Sequence, residues 1–146
     1  MSKTAVQMVE EGIAFVQRAG LKVEAMERGY VRCRMPLKGN ENHIGTMYAG
    51  ALYTLAEIPG GALFLSSFDT SRYFPIIREH RIRYTGAVTS NALVELRMED
   101  AEIDRIQQQA DAHGKAEFTL DTTITDTKGN PVAESEGVYQ LRSQRR

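Results

Sequence analysis

The chain lacks several features that would settle its class at once. Cysteine occurs once, at Cys33, so neither an internal disulfide nor a thiolate metal cluster can form. Cys33 lies in an alternating apolar run and reads as a buried structural thiol, which fits a reducing, cytoplasmic setting. An excess of one charge is also missing. Eighteen basic against 19 acidic residues leave a net charge of −1, which gives no electrostatic footprint for nucleic acid. The three histidines, His43, His80 and His113, are far apart with no ligand spacing, so no metal and no cofactor are expected. An uninterrupted apolar run is absent too. Met47–Phe68 is long enough to span a bilayer, but Glu57, Pro59 and Gly60-Gly61 fall at its centre, which argues against a membrane role. The start, MSKTAVQMVEEGIAF, sets Glu10 and Glu11 where a secretory leader needs an apolar core, so no such signal is expected.

What remains is an ordinary globular composition, 42% hydrophobic and 25% charged, over 146 residues. That length predicts one domain, 1–146, with a single core. Residues 3–19 read as an amphipathic helix, with Val6, Val9, Ile13 and Val16 at helical spacing and Gly20 as its stop. Residues 21–36 alternate as strand, with Gly29 making either a hairpin turn or a bulge. Strand patterns recur at 73–84, 91–98, 115–125 and 131–142, interrupted by a short helix over 101–113 that Gly114 closes. On the last strand Ala133, Ser135 and Gly137 form a small face suited to a sheet curled against a helix. The tail 142–146 reads as solvated.

The chain is organised around residues 42–68. Glu57 is the only formally charged side chain between Glu41 and Asp69. A carboxylate inside an apolar helix costs free energy unless it is paired or used. We read a loop over 37–46 and a helix over 47–67, apolar on nearly every side and rich in Ala and Gly. No βαβ alternation is present, so the class is α+β: a curved antiparallel sheet around a long central helix, with an extra N-terminal helix. One sheet cannot cover a helix that is apolar all round, and a second copy of the chain is the simplest cover.

The run Asn42-His43-Ile44-Gly45-Thr46-Met47-Tyr48-Ala49-Gly50, with Glu57 on the following helix, resembles the active-site signature of hotdog-fold acyl-coenzyme A thioesterases, above all the phenylacetic-acid-pathway type. That signature is Asn, two residues, Gly-Thr, one residue, His-Gly-Gly, then an Asp or Glu. Asn42, Gly45, Thr46, Gly50 and Glu57 fall on it without a gap, while Tyr48 replaces the His and Ala49 the first Gly. The resemblance implies a hotdog fold, a homodimer or a dimer of dimers, and an acyl-coenzyme A or acyl carrier protein thioester as substrate.

Thioester hydrolysis needs donors for the growing oxyanion and a carboxylate that attacks or activates water. The N–H groups of Ala49 and Gly50 at the helix start suit the first task. Glu57 suits the second, as base or nucleophile, with Asn42 orienting water or carboxylate. Eight residues of helix hold Ala49 and Glu57 ~12 Å apart in one chain, so the expected site pairs the start of one central helix with Glu57 of a partner. Substrate contacts are expected from Tyr48, Thr54, Gly61, Arg81 and Arg83, the arginines toward coenzyme A phosphates. Plainer accounts stand beside these. Glu57 can be a capped structural carboxylate, Asn42 a turn residue, Tyr48 packing, Gly60-Gly61 helix packing and the arginines solvated strand charges. Two other functions compete: a non-catalytic acyl-binding module, and a hotdog dehydratase or hydratase, which would pair a His with the acid, whereas the only His near the motif is His43.

Overall fold

The computed structural model describes residues 4–144. Lys3, at the start of the expected first helix, and residues 145–146 of the expected solvated tail lie outside them. The first helix is two helices, α1 (Ala5–Glu11) and α2 (Ala14–Ala19). Thr4 opens α1 with a reciprocal capping box to Gln7, whose N–H it accepts at 3.1 Å. The break falls at Gly12 and Ile13. Ile13 is extended, at φ −116° and ψ 118°. The helical period survives the break, so Val9 and Val16 are buried, but Ile13 is thrown outward and is 54% exposed. Gly20 ends α2 in the left-handed region at φ 84°, as its position predicts.

Strands β1 (Lys22–Glu27) and β2 (Tyr30–Met35) form a hairpin that turns at Gly29, with a bulge beside Glu24. After α3 (Ala49–Ser67) come β3 (Tyr73–Tyr84), β4 (Ala92–Arg97), α4 (Asp100–His113), β5 (Lys115–Asp126) and β6 (Pro131–Ser143). The six strands pair antiparallel throughout in the order β1-β2-β4-β5-β6-β3. The sheet curls around α3, the α+β arrangement the pattern predicts and the hotdog fold the resemblance implies. Alternation fixes which side chains face the helix: Val31, Cys33 and Met35 of β2 and Val94 and Leu96 of β4 are buried. Burial pushes the Cys33 thiol up to about 12, so it stays protonated and packs as a small apolar group.

The small face of β6 does what its composition suggests. Tyr139 lies beneath α3, and its ring fills the space that two glycines leave open. A Cβ on Gly60 would come within 2.4 Å of that ring, and one on Gly137 within 2.7 Å. The Tyr139 hydroxyl donates to the Glu57 backbone carbonyl at 3.0 Å. Phe118 stacks on Tyr139 at 5.8 Å and extends this aromatic floor.

Helix α3 is buried on most sides within one chain, but not on all. Ala49 and Tyr53 are exposed, and Glu57, Gly61 and Leu65 are only partly covered. These positions recur every four residues and form one stripe. Strand β3 runs beside that stripe as an outer strand of the sheet.

Candidate active site

The loop before α3 is held by its own polar groups. Asn42 Oδ1 accepts from the N–H groups of Ile44 at 3.0 Å and Thr46 at 3.1 Å. Its Nδ2 donates to Thr46 Oγ1 at 2.8 Å, and its N–H donates to the Thr46 carbonyl at 2.7 Å. Gly45 turns the chain at φ 87°. Asn42 therefore behaves as the turn residue of the plainer account, with its acceptor oxygen already committed. Asn40 anchors the far side, donating from Nδ2 to the carbonyls of Ala19 and Pro36, both at 2.8 Å.

These contacts set where α3 begins. The Met47 N–H goes to the Val88 carbonyl at 2.8 Å and the Tyr48 N–H to Asn40 at 2.8 Å, so the helix starts at Ala49 rather than at 47. The Ala51 and Leu52 N–H groups bond the Tyr48 carbonyl. Among the described residues the N–H groups of Ala49 and Gly50 have no partner. Two donors at the positive end of the helix dipole are thus left open. Tyr84 steadies this end, its hydroxyl donating to the Ala49 carbonyl at 3.0 Å. The Tyr48 ring lies on Gly50, where a Cβ would come within 2.5 Å of it. Tyr48 thus packs on the helix start while remaining 58% exposed.

Glu57 opens into a cleft of about 440 Å³. Its lining mixes apolar side chains, Ile13, Phe15, Val16, Ile58 and Ile77, with polar ones, Tyr53, Thr54, Arg78, Glu79 and His80. Burial pushes the Glu57 carboxyl above the usual range, with no compensating cation or donor within the chain. Thr54 donates its hydroxyl to the Gly50 carbonyl at 2.8 Å, so that hydroxyl serves the helix first. Gly61 has open space where a Cβ would stand, whereas Gly60 is the packing glycine of the pair.

Three placements add to what the sequence suggests. Arg81 and Arg83, expected toward coenzyme A phosphates, lie outside the Glu57 cleft. Paired opposite Glu136 and Glu134 in register, they lie on the outer sheet face, and Arg81 makes a 3.4 Å ion pair with Glu136. Strand alternation puts His80, Ile82 and Tyr84 on the helix side and the arginines away from it. Second, the cleft does hold a histidine beside the acid. It is His80, brought there by β3 and not by the loop that carries His43. Third, the N-terminal segment is part of the site, because the break at Gly12 turns Ile13 and Phe15 toward the cleft. The sequence signal for His80 was its parity with Ile82 and Tyr84; a bulge at Arg78 obscured the rest of the strand. Among the described residues no group of three or more His, Cys, Asp or Glu could hold a metal. No described helix is long and apolar enough to cross a membrane.

Similarity to known proteins bears on this geometry. A Pseudomonas aeruginosa protein of unknown function, described as a probable thioesterase, is 53% identical, with 96% of this chain and 94% of that one covered at a TM-score of 0.92. A variant thioesterase from Pseudomonas aeruginosa is 15% identical over 97% of this chain and 96% of its own, at 0.74. One from Staphylococcus aureus subsp. aureus Mu50 is 13% identical over 89% and 99%, at 0.69. The last two share the fold alone. No curated protein matches. The family model for a domain of unknown function, DUF4442, matches residues 2–139. With nearly the whole length matched, the chain belongs to the DUF4442 family, and it shares the hotdog thioesterase-like fold of the 53% identical probable thioesterase.

Proposed function

We propose that the protein hydrolyses an acyl thioester, carried on coenzyme A or on an acyl carrier protein, at a site completed by a second copy of the chain. The observation that carries this reading is Glu57: a carboxylate raised by burial, without a partner in its own chain, on the one stripe of α3 that its own sheet leaves uncovered. The open N–H groups of Ala49 and Gly50 lie at the start of that stripe. Two α3 helices packed antiparallel along their stripes bring each acid to the partner's helix start. The 12 residues of β3 support the same assembly, since a long outer strand carrying partly exposed Phe74, Ile77 and Tyr84 calls for cover.

In the proposed reaction the thioester carbonyl oxygen sits against the Ala49 and Gly50 N–H groups of one copy. Glu57 of the other copy takes a proton from water as the water oxygen bonds to the carbonyl carbon. Collapse of the tetrahedral intermediate breaks the C–S bond, and the thiol leaves with the proton that Glu57 held. The alternative, direct attack by Glu57 through an anhydride, uses the same positions. Asn42 holds the loop, Tyr48 and Gly61 border the acyl and pantetheine path, and the chain needs no cofactor. A cytoplasmic setting, drawn from the lone reduced thiol, belongs to the same proposal.

The test is hydrolysis of a panel of acyl-coenzyme A and acyl carrier protein thioesters by wild type and Glu57→Gln. We expect a loss of about 10²–10⁴-fold in kcat for the variant. Equal rates would remove Glu57 from the mechanism. A second reading, addition of water to a 2-enoyl thioester, is favoured by one observation: His80 shares the cleft with Glu57. Loss of enoyl absorbance without release of free thiol would select it.

A further inference from the structure

His80 is a polar group of the cleft that the reaction just described does not use. Its ring is gripped on two sides. Tyr53 meets it edge-on, with centroids 4.7 Å apart and planes at 83°. On the other side Gly137 lies directly across the β3–β6 pair, where a Cβ would come within 3.0 Å of His80 Cδ2. A ring held this way has a fixed orientation. Its Nδ1 is buried and has no hydrogen-bond partner. A proton on Nδ1 would be an orphaned donor, so the neutral ring carries its proton on Nε2. Burial also holds the imidazole below its ordinary range, which keeps it neutral near pH 7.

Glu57 is one turn beyond Tyr53 on the same stripe of α3, ~6 Å along the axis. A ring that touches Tyr53 is therefore within side-chain reach of the carboxylate. Among the described residues the cleft thus holds a carboxylate without a donor, Glu57, and a clamped ring, His80, whose buried Nδ1 is unpartnered and whose proton therefore sits on Nε2, the atom free to donate.

We propose that His80 is a positioning residue for Glu57, donating from Nε2–H to the Glu57 carboxylate in the working site and holding it charged and in place. This rests on Glu57 being the working carboxylate. The other titratable groups facing the pair are Tyr53 from α3, Arg78 and Glu79 from β3, and Tyr139 from β6; α2 contributes only apolar side chains. A neutral donor favours the charged form of a carboxylate. Removing it therefore moves the Glu57 midpoint upward.

The experiment follows the Glu57 side-chain carboxyl by ¹³C NMR across pH in the wild-type protein, His80→Phe and His80→Gln, with Glu57→Gln assigning the signal. Phe keeps an aromatic ring against Tyr53 and loses the N–H. We expect its Glu57 midpoint to rise by about one pH unit, the equivalent of a tenfold change. Gln places an amide N–H at about the reach of Nε2 and is expected to return the midpoint most of the way. In hydrolysis, His80→Phe is expected to lower kcat roughly tenfold or more at neutral pH, with KM within about twofold and the acid limb displaced upward. An unchanged or lowered midpoint in His80→Phe overturns the proposal. If His80→Phe does not fold, His80→Asn, whose amide reaches only as far as Nδ1, replaces it. Equal midpoints for Asn and Gln then overturn it. The titration needs no turnover. A wild-type protein that cleaves no thioester would sink the hydrolytic reading, while the midpoint still decides whether His80 acts on Glu57.

Discussion

Two polar regions flank α3, and they treat their hydrogen bonds in opposite ways. In the loop of residues 40–48 the side chains of Asn40, Asn42 and Thr46 are tied to one another or to backbone. In the cleft, the Glu57 carboxylate and the buried His80 Nδ1 have no partner among the described residues. Satisfied polar groups hold a shape; unsatisfied ones raise the energy of the empty state and pay for themselves when a ligand arrives. In the proposed reaction the loop is scaffold and the cleft the working part, although the family-like signature residues are concentrated in the loop.

The contrast can be broken in several places. The largest effect is expected from Ala49→Pro. Proline is tolerated at the first helical position, and Tyr48 already has the extended backbone that a following proline prefers. The substitution removes one open N–H with little disturbance. It should lower kcat by about 10²–10³-fold with unfolding unchanged, measured by steady-state kinetics and thermal melts. Next is Gly60→Ala, which drives a methyl into the Tyr139 ring. We expect destabilisation of about 1–3 kcal/mol in denaturant titration, relieved when Tyr139 is replaced by Leu.

Asn42→Ala removes the three side-chain bonds that shape the loop and should cost about 1–3 kcal/mol of stability. Asn42→Asp keeps the acceptor and should recover most of it. If Asn42→Ala abolished turnover without loosening the fold, the scaffold assignment would be wrong. The smallest effect is a pH slope. The Glu57 carboxyl is raised in the folded chain, so between its unfolded and folded midpoints the folded state binds more protons. Stability therefore declines as pH rises through that window. Glu57→Gln should flatten the slope in chemical denaturation run from pH 4 upward, while a wild type with no more slope than the variant would contradict the burial argument.

Much of this was legible in the chain. The isolation of Glu57 among apolar residues marked the helix and the acid together, because burying a charge leaves a pattern that periodicity cannot hide. The even alternation of Ala116, Phe118, Leu120, Thr122 and Ile124 gave β5, and all five are buried as expected. The failures have physical causes. Val9 and Val16 keep one helical phase across Gly12, so a single helix and two bent ones read alike until the Ile13 backbone is seen. Arg81 and Arg83 were singled out by charge, which does not show what strand parity does, that they lie on the sheet face away from α3. His80 escaped notice because it is 23 residues beyond Glu57 and meets it only through sheet closure. Tyr84 and Tyr139, which steady the start and the middle of the uncovered stripe, are visible only once strands and helix are packed.

The Tyr139 hydroxyl also has a consequence for how such a protein can diversify. By gripping the main chain at residue 57, it ties the proposed acid to the buried aromatic floor of the sheet rather than to the mouth of the cleft. Ile13 and Phe15, on the bent N-terminal segment opposite, can be exchanged for larger or smaller neighbours without shifting the acid. In the proposed reaction, substrate range and bond-breaking chemistry would then fall on separate parts of the chain, free to change independently.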